Sequence, residues 1–124
     1  MSRKPGVASP EELKAFVADA GDRLLVVDLR NPDAVVEPDD QPTFDIAELP
    51  SESSRPHAVS LLWDRTTNQM PIPSVPKDTP IITHCGAGGR GQMAKEFLEK
   101  HGFVKVINGG GPKDAECWAE FGDK

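Results

Sequence analysis

Residues 80–102 read PIITHCGAGGRGQMAKEFLEKHG, and this order of residues predicts a strand, a glycine-rich loop and a helix. The apolar run at 80–84 is typical of a short strand that is covered on both faces, as in a parallel sheet. Apolar side chains then recur at helical spacing over 92–101, and Gly102 ends the helix. The stretch therefore predicts a strand–loop–helix unit of the kind that builds parallel α/β sheets.

Segments on both sides of this unit continue the alternation of strands and helices. Ser9, Pro10 and Glu12 have the residue types of a helix N-cap, a first helical position and a capping-box partner, and Gly21 ends that helix. Further strands are predicted at 24–28, 58–63 and 104–107, followed by a turn at 108–111 and a last helix at 112–121. The alternation predicts an α/β fold with a mostly parallel sheet, in which 58–63 is a second core strand.

One long stretch, residues 36–56, interrupts this alternation. It is rich in Pro, Asp, Glu and Ser and contains few apolar side chains. We expect a partly ordered extended loop that can hold one helical turn and whose acidic side chains are solvated. A role in docking a partner stays open.

The length and charge of the chain limit its class of function. Its 124 residues suit a single domain, 1–124. The net charge of −6 argues against general binding of nucleic acid or of an anionic membrane, because both require a basic surface. The sequence has no apolar run of membrane-spanning length, and its N-terminus is not followed by a signal-peptide core, so we expect a cytoplasmic protein.

The cysteines and histidines are few and scattered. Cys85 and Cys117 are too few for the disulfide framework of a small secreted domain, and with His57, His84 and His101 they show no zinc-ligand spacing. Cys117 is expected to pack inside the last helix. His84 precedes Cys85 on a strand, where neighbouring side chains point to opposite faces, so we do not expect it to be a general base. His57 and His101 are expected at the surface or at the ends of elements.

The chemistry is concentrated in the loop at 85–91. Four of these seven residues are glycines, which lets successive backbone N–H groups point into one concavity that binds anions. The start of the next helix and the guanidinium of Arg90 add positive charge. Cys85 in this setting is expected to be held as a thiolate and to act as a nucleophile. These residues alone do not define the reaction.

This loop resembles the active-site loop of the rhodanese family, whose pattern is Cys-x-x-Gly-x-Arg followed by a small residue. Cys85, Gly88 and Arg90 match the pattern, and Gly91 stands at the small position. Further segments resemble the family in the expected order, namely 26–30, 58–61, 102–110 and Trp118, so that the resemblance extends over roughly residues 9–122. The chain departs from the family in the length of 36–56 and in His57, where a glycine is typical.

The resemblance implies a rhodanese-like three-layer sandwich, with a mostly parallel central sheet of about five strands flanked by helices. It also implies a thiosulfate sulfurtransferase, in which Cys85 takes sulfane sulfur from thiosulfate or a similar donor as a persulfide. The acceptor would be a thiol, cyanide or a sulfur-relay protein, with no cofactor, metal, nucleic acid or membrane involved. The residues implied to bind substrate are Gly86, Ala87, Gly88, Gly89, Arg90 and Gly91, and those implied to support the site structurally are Asp28 and Arg30.

Loop length distinguishes this interpretation from related cysteine-dependent enzymes. Protein phosphatases and arsenate reductases of related topology have Cys-x5-Arg, whereas four residues separate Cys85 from Arg90 here. Mercaptopyruvate-specific relatives tend to have Val-Thr where this chain has Gly89-Arg90, so thiosulfate or a protein persulfide fits better. Two alternatives stay open: a non-enzymatic or protein-specific persulfide carrier or docking module, and, less favoured, a Cys-dependent phosphatase or arsenate reductase.

Overall fold

The computed structural model describes residues 5–86 and 89–122. In these residues one parallel sheet is formed by β1 (Leu25–Asp28), β2 (Ala58–Ser60), β3 (Ile81–His84) and β4 (Val106–Asn108). The α-helices are α1 (Pro10–Ala20), α2 (Gly89–Lys100) and α3 (Ala115–Phe121). Two 3-10 helices, Gly21–Arg23 and Pro38–Asp45, follow α1 and β1.

The sheet has the strand order β2-β1-β3-β4 and is covered on both faces. Val26 and Ile82 point to the face where α1 and α3 pack, whereas the neighbouring Val27 and Ile81 point to the face covered by α2. Because successive side chains of a strand alternate between faces, both central strands need continuous apolar runs. This arrangement confirms the predicted three-layer α/β sandwich.

The number of strands differs from the prediction of about five. The described residues contain four strands, and the N-terminal segment adds a single parallel bridge between Val7 and Asn108. Ala8 donates its N–H to the Asn108 carbonyl at 2.9 Å, and Ser9 already caps α1. The chain therefore enters the helix before a fifth strand can extend along β4.

The prediction of a core strand at 58–63 is wrong in the length of the strand and in its place in the sheet. β2 covers only Ala58–Ser60 and lies at the edge of the sheet, where Val59 and Ser60 are exposed. The N–H of Leu61 still bonds the Asp28 carbonyl at 3.0 Å, but β1 ends there and offers no further partner. Trp63 reaches the core from the following connection and packs edge to face against Phe97.

The stretch 36–56 is more ordered than a solvated loop. Its first half holds the 3-10 helix Pro38–Asp45, in agreement with one helical turn. Asp40 and Thr43 on this helix are buried, at 1% and 0% exposure, which contradicts the expectation that the acidic side chains are all solvated. The reason is tertiary: Asp40 accepts from the buried Arg90 and Thr43 accepts from the buried Arg30, both of which lie outside this stretch.

The predicted start of the first helix is confirmed, whereas the last helix begins later in the chain than predicted. Ser9 and Glu12 form the predicted capping box, and the chain leaves α1 at Gly21. The last helix begins at Ala115 rather than at 112, because Asp114 caps it by accepting the Cys117 N–H at 3.3 Å. In the part of the chain that the structure describes, no helix has the length and apolar character needed to cross a membrane.

Candidate active site

Cys85 comes directly after β3, at the edge of the sheet where the carboxyl ends of the parallel strands meet. Ligands of open α/β sheets gather at this edge. Cys85 is 3% exposed and lies in the wall of a cavity of about 190 Å³. The residues that line the cavity are Glu37, Asp39, Asp40, Arg65, Cys85, Gly86, Gly89, Arg90 and Lys113.

The turn after β4 fixes the backbone on both sides of the cysteine. The N–H of Cys85 donates to the Gly110 carbonyl at 3.1 Å, and the N–H of Lys113 donates to the Gly86 carbonyl at 3.0 Å. Gly111 lies so close that a Cβ there would be 1.9 Å from the Cys85 carbonyl oxygen. Only glycine permits this approach, so the predicted turn at 108–111 forms the support beneath the loop.

The residues predicted to bind substrate fall into three groups. Gly86, Gly89 and Arg90 line the cavity, whereas Ala87 and Gly88 lie outside the described residues. Gly91 is buried instead, with its carbonyl accepting from the Thr83 hydroxyl at 2.7 Å. A Cβ at Gly91 would be 2.6 Å from the Asn108 side-chain oxygen, so glycine here permits close packing of α2 on the sheet.

Arg90 carries a charge that is already partly neutralised. Its guanidinium donates to Asp40 Oδ2 at 2.8 Å and to the Leu29 carbonyl at 3.0 Å, and its second terminal nitrogen donates to Asp40 Oδ1. Burial acts to lower the pKa of Arg90, but the hydrogen bonds that it donates to Asp40 and the electrostatic interactions with Cys85, Asp40 and Glu37 raise it overall. Arg90 is therefore a permanent cation that also holds the 3-10 helix Pro38–Asp45 against the loop.

Two more cations lie in the cavity wall. Arg65 is half-exposed and pairs with Glu37, with its Nη2 3.2 Å from Oε1. Lys113 is exposed, and among the described residues no carboxylate forms an ion pair with it. Among the described residues that line the cavity, three cations thus face three carboxylates, and Lys113 is the cation for which no ion pair with these carboxylates is found.

The sequence pattern did not indicate Glu37, Asp40, Arg65 or Lys113 as residues of the site. The two acids belong to the stretch expected to be solvated, and Arg65 follows β2 in a connection without periodicity. The order of the residues carried a usable signal, because Glu37 and Asp40 follow one strand of a parallel sheet and Cys85 follows another. The carboxyl ends of parallel strands meet at the same edge of the sheet. Lys113 had no comparable signal.

Asp28 and Arg30, at the end of β1, lie behind the cavity rather than in its wall. Asp28 accepts from Arg30 Nη2 at 2.6 Å and from Arg55 Nη1 at 3.2 Å. Burial acts to raise the pKa of Asp28, but the charges of His84 and Arg30 and the bonds from Arg30 lower it overall. Arg30 also donates to the carbonyls of Ala47 at 2.6 Å and Glu48 at 3.0 Å. Their supporting role stays a prediction with which these contacts agree.

His84 is buried with both ring nitrogens in contact with protein atoms. Nε2 is 2.9 Å from Arg55 Nη2, and Nδ1 is 3.2 Å from the Cys85 carbonyl oxygen. Burial lowers the pKa of His84 to about 4, although the charge of Asp28 opposes this. The imidazole is therefore neutral at pH 7, and it does not line the cavity.

Comparison with known proteins decides the family. The family model of the rhodanese-like domain matches residues 9–113 of the chain. The protein belongs to the rhodanese-like domain family. This membership supports a sulfurtransferase-type or related cysteine-dependent function at the level of the family.

Solved structures resemble this rhodanese-like chain in fold. A Staphylococcus saprophyticus protein is 24% identical, with 95% of this chain and 94% of that chain covered and a TM-score of 0.52. An uncharacterized Saccharomyces cerevisiae protein is 19% identical, with coverage of 94% and 92% and a TM-score of 0.54. A Rhodopseudomonas palustris protein described as a "possible tyrosine phosphatase" is 16% identical, with coverage of 95% and 82% and a TM-score of 0.53. A search of curated proteins finds no match.

Proposed function

We propose that this rhodanese-like protein is a thiosulfate sulfurtransferase in which Cys85 carries sulfane sulfur as a persulfide. The observation that carries the proposal is the position of Cys85, directly after β3 in the wall of a small cavity that also contains Arg90 and Lys113. The cavity volume of about 190 Å³ suits a small sulfur-containing anion rather than a large cofactor.

The proposed reaction has two displacement steps. The Cys85 thiolate attacks the outer sulfur of thiosulfate, a new S–S bond forms, and the old S–S bond breaks with its electron pair leaving on sulfite. The terminal sulfur of the Cys85 persulfide then passes to a thiolate or cyanide, and the Cys85 thiolate is regenerated. Total charge is conserved in each step, and no oxidant or reductant is consumed.

The chain provides the electrostatic setting for these steps. Positive charge near the reacting sulfur lowers the cost of bringing an anionic donor to a thiolate. Arg90 provides such charge but shares it with Asp40, so Lys113 is proposed as the first contact of the donor anion. Backbone N–H groups at Gly86 and Gly89, with those of Ala87 and Gly88, are proposed to hold the transferred sulfur.

Intact-protein mass spectrometry after incubation with thiosulfate tests this function. We expect the mass of one added sulfur atom in the wild type and in Cys117→Ala, since Cys117 lies on the buried face of α3 and its thiol donates to the Ala8 carbonyl. Cys85→Ala should gain nothing. An adduct that persists in Cys85→Ala, or no adduct in the wild type, would reject the proposal.

Two other functions remain as alternatives. A protein-specific persulfide carrier would accept sulfur rapidly from a cysteine desulfurase and slowly from thiosulfate, so transfer assays with both donors separate the two. A phosphatase or arsenate reductase would hydrolyse an aryl phosphate or reduce arsenate in a Cys85-dependent manner. A neighbour in fold is described as a "possible tyrosine phosphatase", but four residues between Cys85 and Arg90 make a shorter loop than those enzymes use.

The partners of this proposal are thiosulfate or a similar anion and a thiol, cyanide or relay protein as acceptor. Nucleic acid and membrane surfaces are not among them, because the chain carries a net charge of −6. Cytoplasmic location stays a prediction, which fractionation of cells that express the protein would test.

A further inference from the structure

A buried chain of contacts links Asp28 on β1 to the backbone of Cys85. Asp28 Oδ2 accepts from Arg55 Nη1 at 3.2 Å, and the other terminal nitrogen of Arg55 lies 2.9 Å from His84 Nε2. On the far side of the ring, Nδ1 is 3.2 Å from the carbonyl oxygen of Cys85. None of these side chains lines the cavity, so the proposed sulfur transfer does not use them directly.

The chemistry of arginine determines the tautomer of His84. A guanidinium has donors and no acceptor, so a nitrogen at hydrogen-bond distance from it must accept. His84 Nε2 therefore carries the lone pair, and in the neutral ring the proton is on Nδ1. That proton points at the Cys85 carbonyl, which makes the contact a hydrogen bond with the ring as donor.

The surroundings of the ring hold this arrangement in place. Trp118 and Phe121 of α3 pack against the imidazole with centroid distances of 5.0 and 5.6 Å, and Arg55 lies over the Trp118 ring at 4.9 Å. The charged groups that face the ring are Asp28, Arg30 and Arg55. A second proton would place two donors 2.9 Å apart at the Arg55 contact, so the neutral ring is the form that fits.

The Cys85 carbonyl shares a planar peptide group with the N–H of Gly86. In a trans peptide these two groups point in opposite directions, so fixing the carbonyl toward buried His84 also fixes the direction of the Gly86 N–H. Gly86 lines the cavity, whereas His84 does not. The orientation of His84 thus determines where the first backbone donor after the reactive sulfur points.

We propose that Arg55 and His84 are positioning residues, which hold the Cys85–Gly86 peptide so that the Gly86 N–H points into the cavity and stabilises negative charge on Cys85. Arg55 acts by selecting the Nδ1–H tautomer, and His84 acts by donating that proton to the Cys85 carbonyl. The inference builds on Cys85 as the reactive group of the proposed function, but it requires no particular sulfur donor.

The tautomer is tested directly on the wild-type protein. Nitrogen-15 NMR of the labelled imidazole distinguishes a protonated from an unprotonated ring nitrogen. We expect His84 to show a protonated Nδ1 and an unprotonated Nε2 at neutral pH. The opposite tautomer, or a doubly protonated ring at that pH, would overturn the proposal whatever reaction the protein catalyses.

A matched pair of variants tests the positioning role. The amide of His84→Asn can reach the place of Nδ1 and donate to the Cys85 carbonyl, whereas the amide of His84→Gln reaches the place of Nε2. The readout is the pH profile of Cys85 alkylation by iodoacetamide, which reports the population of thiolate without any sulfur donor. We expect a midpoint close to that of the wild type in His84→Asn, and a midpoint about one pH unit higher in His84→Gln, equal to about tenfold less thiolate at a given pH.

Each result of this comparison decides the role. Equal shifts in both variants would mean that His84 only fills space, and no shift in His84→Gln would mean that the peptide is held without it. Either result overturns the proposal. A failure of sulfur transfer with a normal alkylation profile would instead reject the proposed function and leave the positioning role intact.

Discussion

At the scale of single residues, Asp40 links the 3-10 helix Pro38–Asp45 to Arg90 in the cavity wall, although the sequence pattern does not single it out. It accepts from Arg90 and from the backbone N–H of Asn31 at 2.8 Å, and it is 1% exposed. Asp39, its neighbour on the same 3-10 helix, is exposed and also lines the cavity. The two carboxylates therefore form a natural pair for comparison.

Asp40→Asn is expected to lower the free energy of unfolding by about 3 kcal/mol, because it leaves the buried Arg90 without its main countercharge. Asp39→Asn should change it by no more than about 0.5 kcal/mol, since it alters an exposed group. Urea denaturation of the two variants measures the difference. Similar values for both would show that the buried pair is not a major source of stability.

Gly91→Ala is expected to destabilise the fold by about 1 to 3 kcal/mol, because its Cβ would lie 2.6 Å from the Asn108 side-chain oxygen. The control is Gly89→Ala in the first turn of the same helix, where no described atom lies within 4 Å. Thermal unfolding should show a lower midpoint for Gly91→Ala alone. A midpoint equal to that of the wild type would mean that Asn108 can move aside without cost.

Lys113→Met is expected to raise the KM for thiosulfate about three- to tenfold and to leave kcat nearly unchanged, because a charge that contacts the donor before reaction contributes to binding. The control Lys105→Met removes an exposed charge just before the amino end of β4, whereas Cys85 follows the carboxyl end of β3. Steady-state kinetics should show an effect only for Lys113. An unchanged KM would assign donor binding to Arg90 or to the loop amides.

At the scale of elements, Arg30 connects the stretch 36–56 to the sheet through hydrogen bonds. Its guanidinium donates to the carbonyls of Thr43, Ala47 and Glu48, so three carbonyls of this segment have a donor from a residue at the end of β1. A buried carbonyl that loses its donor favours an open, hydrated conformation. Order in this segment thus depends in part on a side chain outside it.

Arg30→Gln is expected to release this segment and to speed its cleavage by a non-specific protease at least tenfold, because local opening becomes easier. Arg23→Gln is the control, since Arg23 forms an exposed ion pair with Asp78. Mass mapping of the fragments shows where the chain is cut. Cuts spread evenly over the chain would indicate global unfolding and would contradict a local role for Arg30.

At the scale of the whole molecule, His84 couples stability to pH. Burial lowers its pKa from 6.5 to about 4, so between these values the unfolded chain binds a proton that the folded protein does not. The stabilising contribution is complete above pH 6.5 and is lost as the pH falls toward 4. Below pH 4 the free energy of unfolding continues to fall because of Asp28. The pKa of Asp28 is lowered in the folded protein, so the unfolded chain binds this proton more readily.

We therefore expect the free energy of unfolding to fall by about 2.5 kcal/mol between pH 7.5 and pH 4.5 through His84 alone. Urea titrations at several pH values measure this slope. His84→Asn should lose most of this pH dependence of the free energy of unfolding, whereas His101→Gln, at an exposed position, should retain it. A flat profile for the wild type would contradict the assignment of a neutral buried ring.

The elements that local pattern defines were predictable, and the site was predictable only in part. The capping box at Ser9, the strand before Cys85 and the helix after it follow from contacts near in sequence or from hydrophobic period. The edge position of β2 was not predictable, because a short apolar run is the same in a central and an edge strand. The burial of Asp40 depends on Arg90, which is 50 residues away.

The sequence by itself determined the α/β alternation, the family and the place of Cys85 between a strand and a helix, since each is written in adjacent residues. The tertiary structure alone decided that Asp40 and Glu37 surround Arg90, that Gly91 serves packing, and that Arg55 and His84 meet behind the cysteine. The physical reason is that a buried charge is tolerated only where a partner compensates it. The tertiary fold determines which residue lies close enough to be that partner, and local sequence patterns do not predict it.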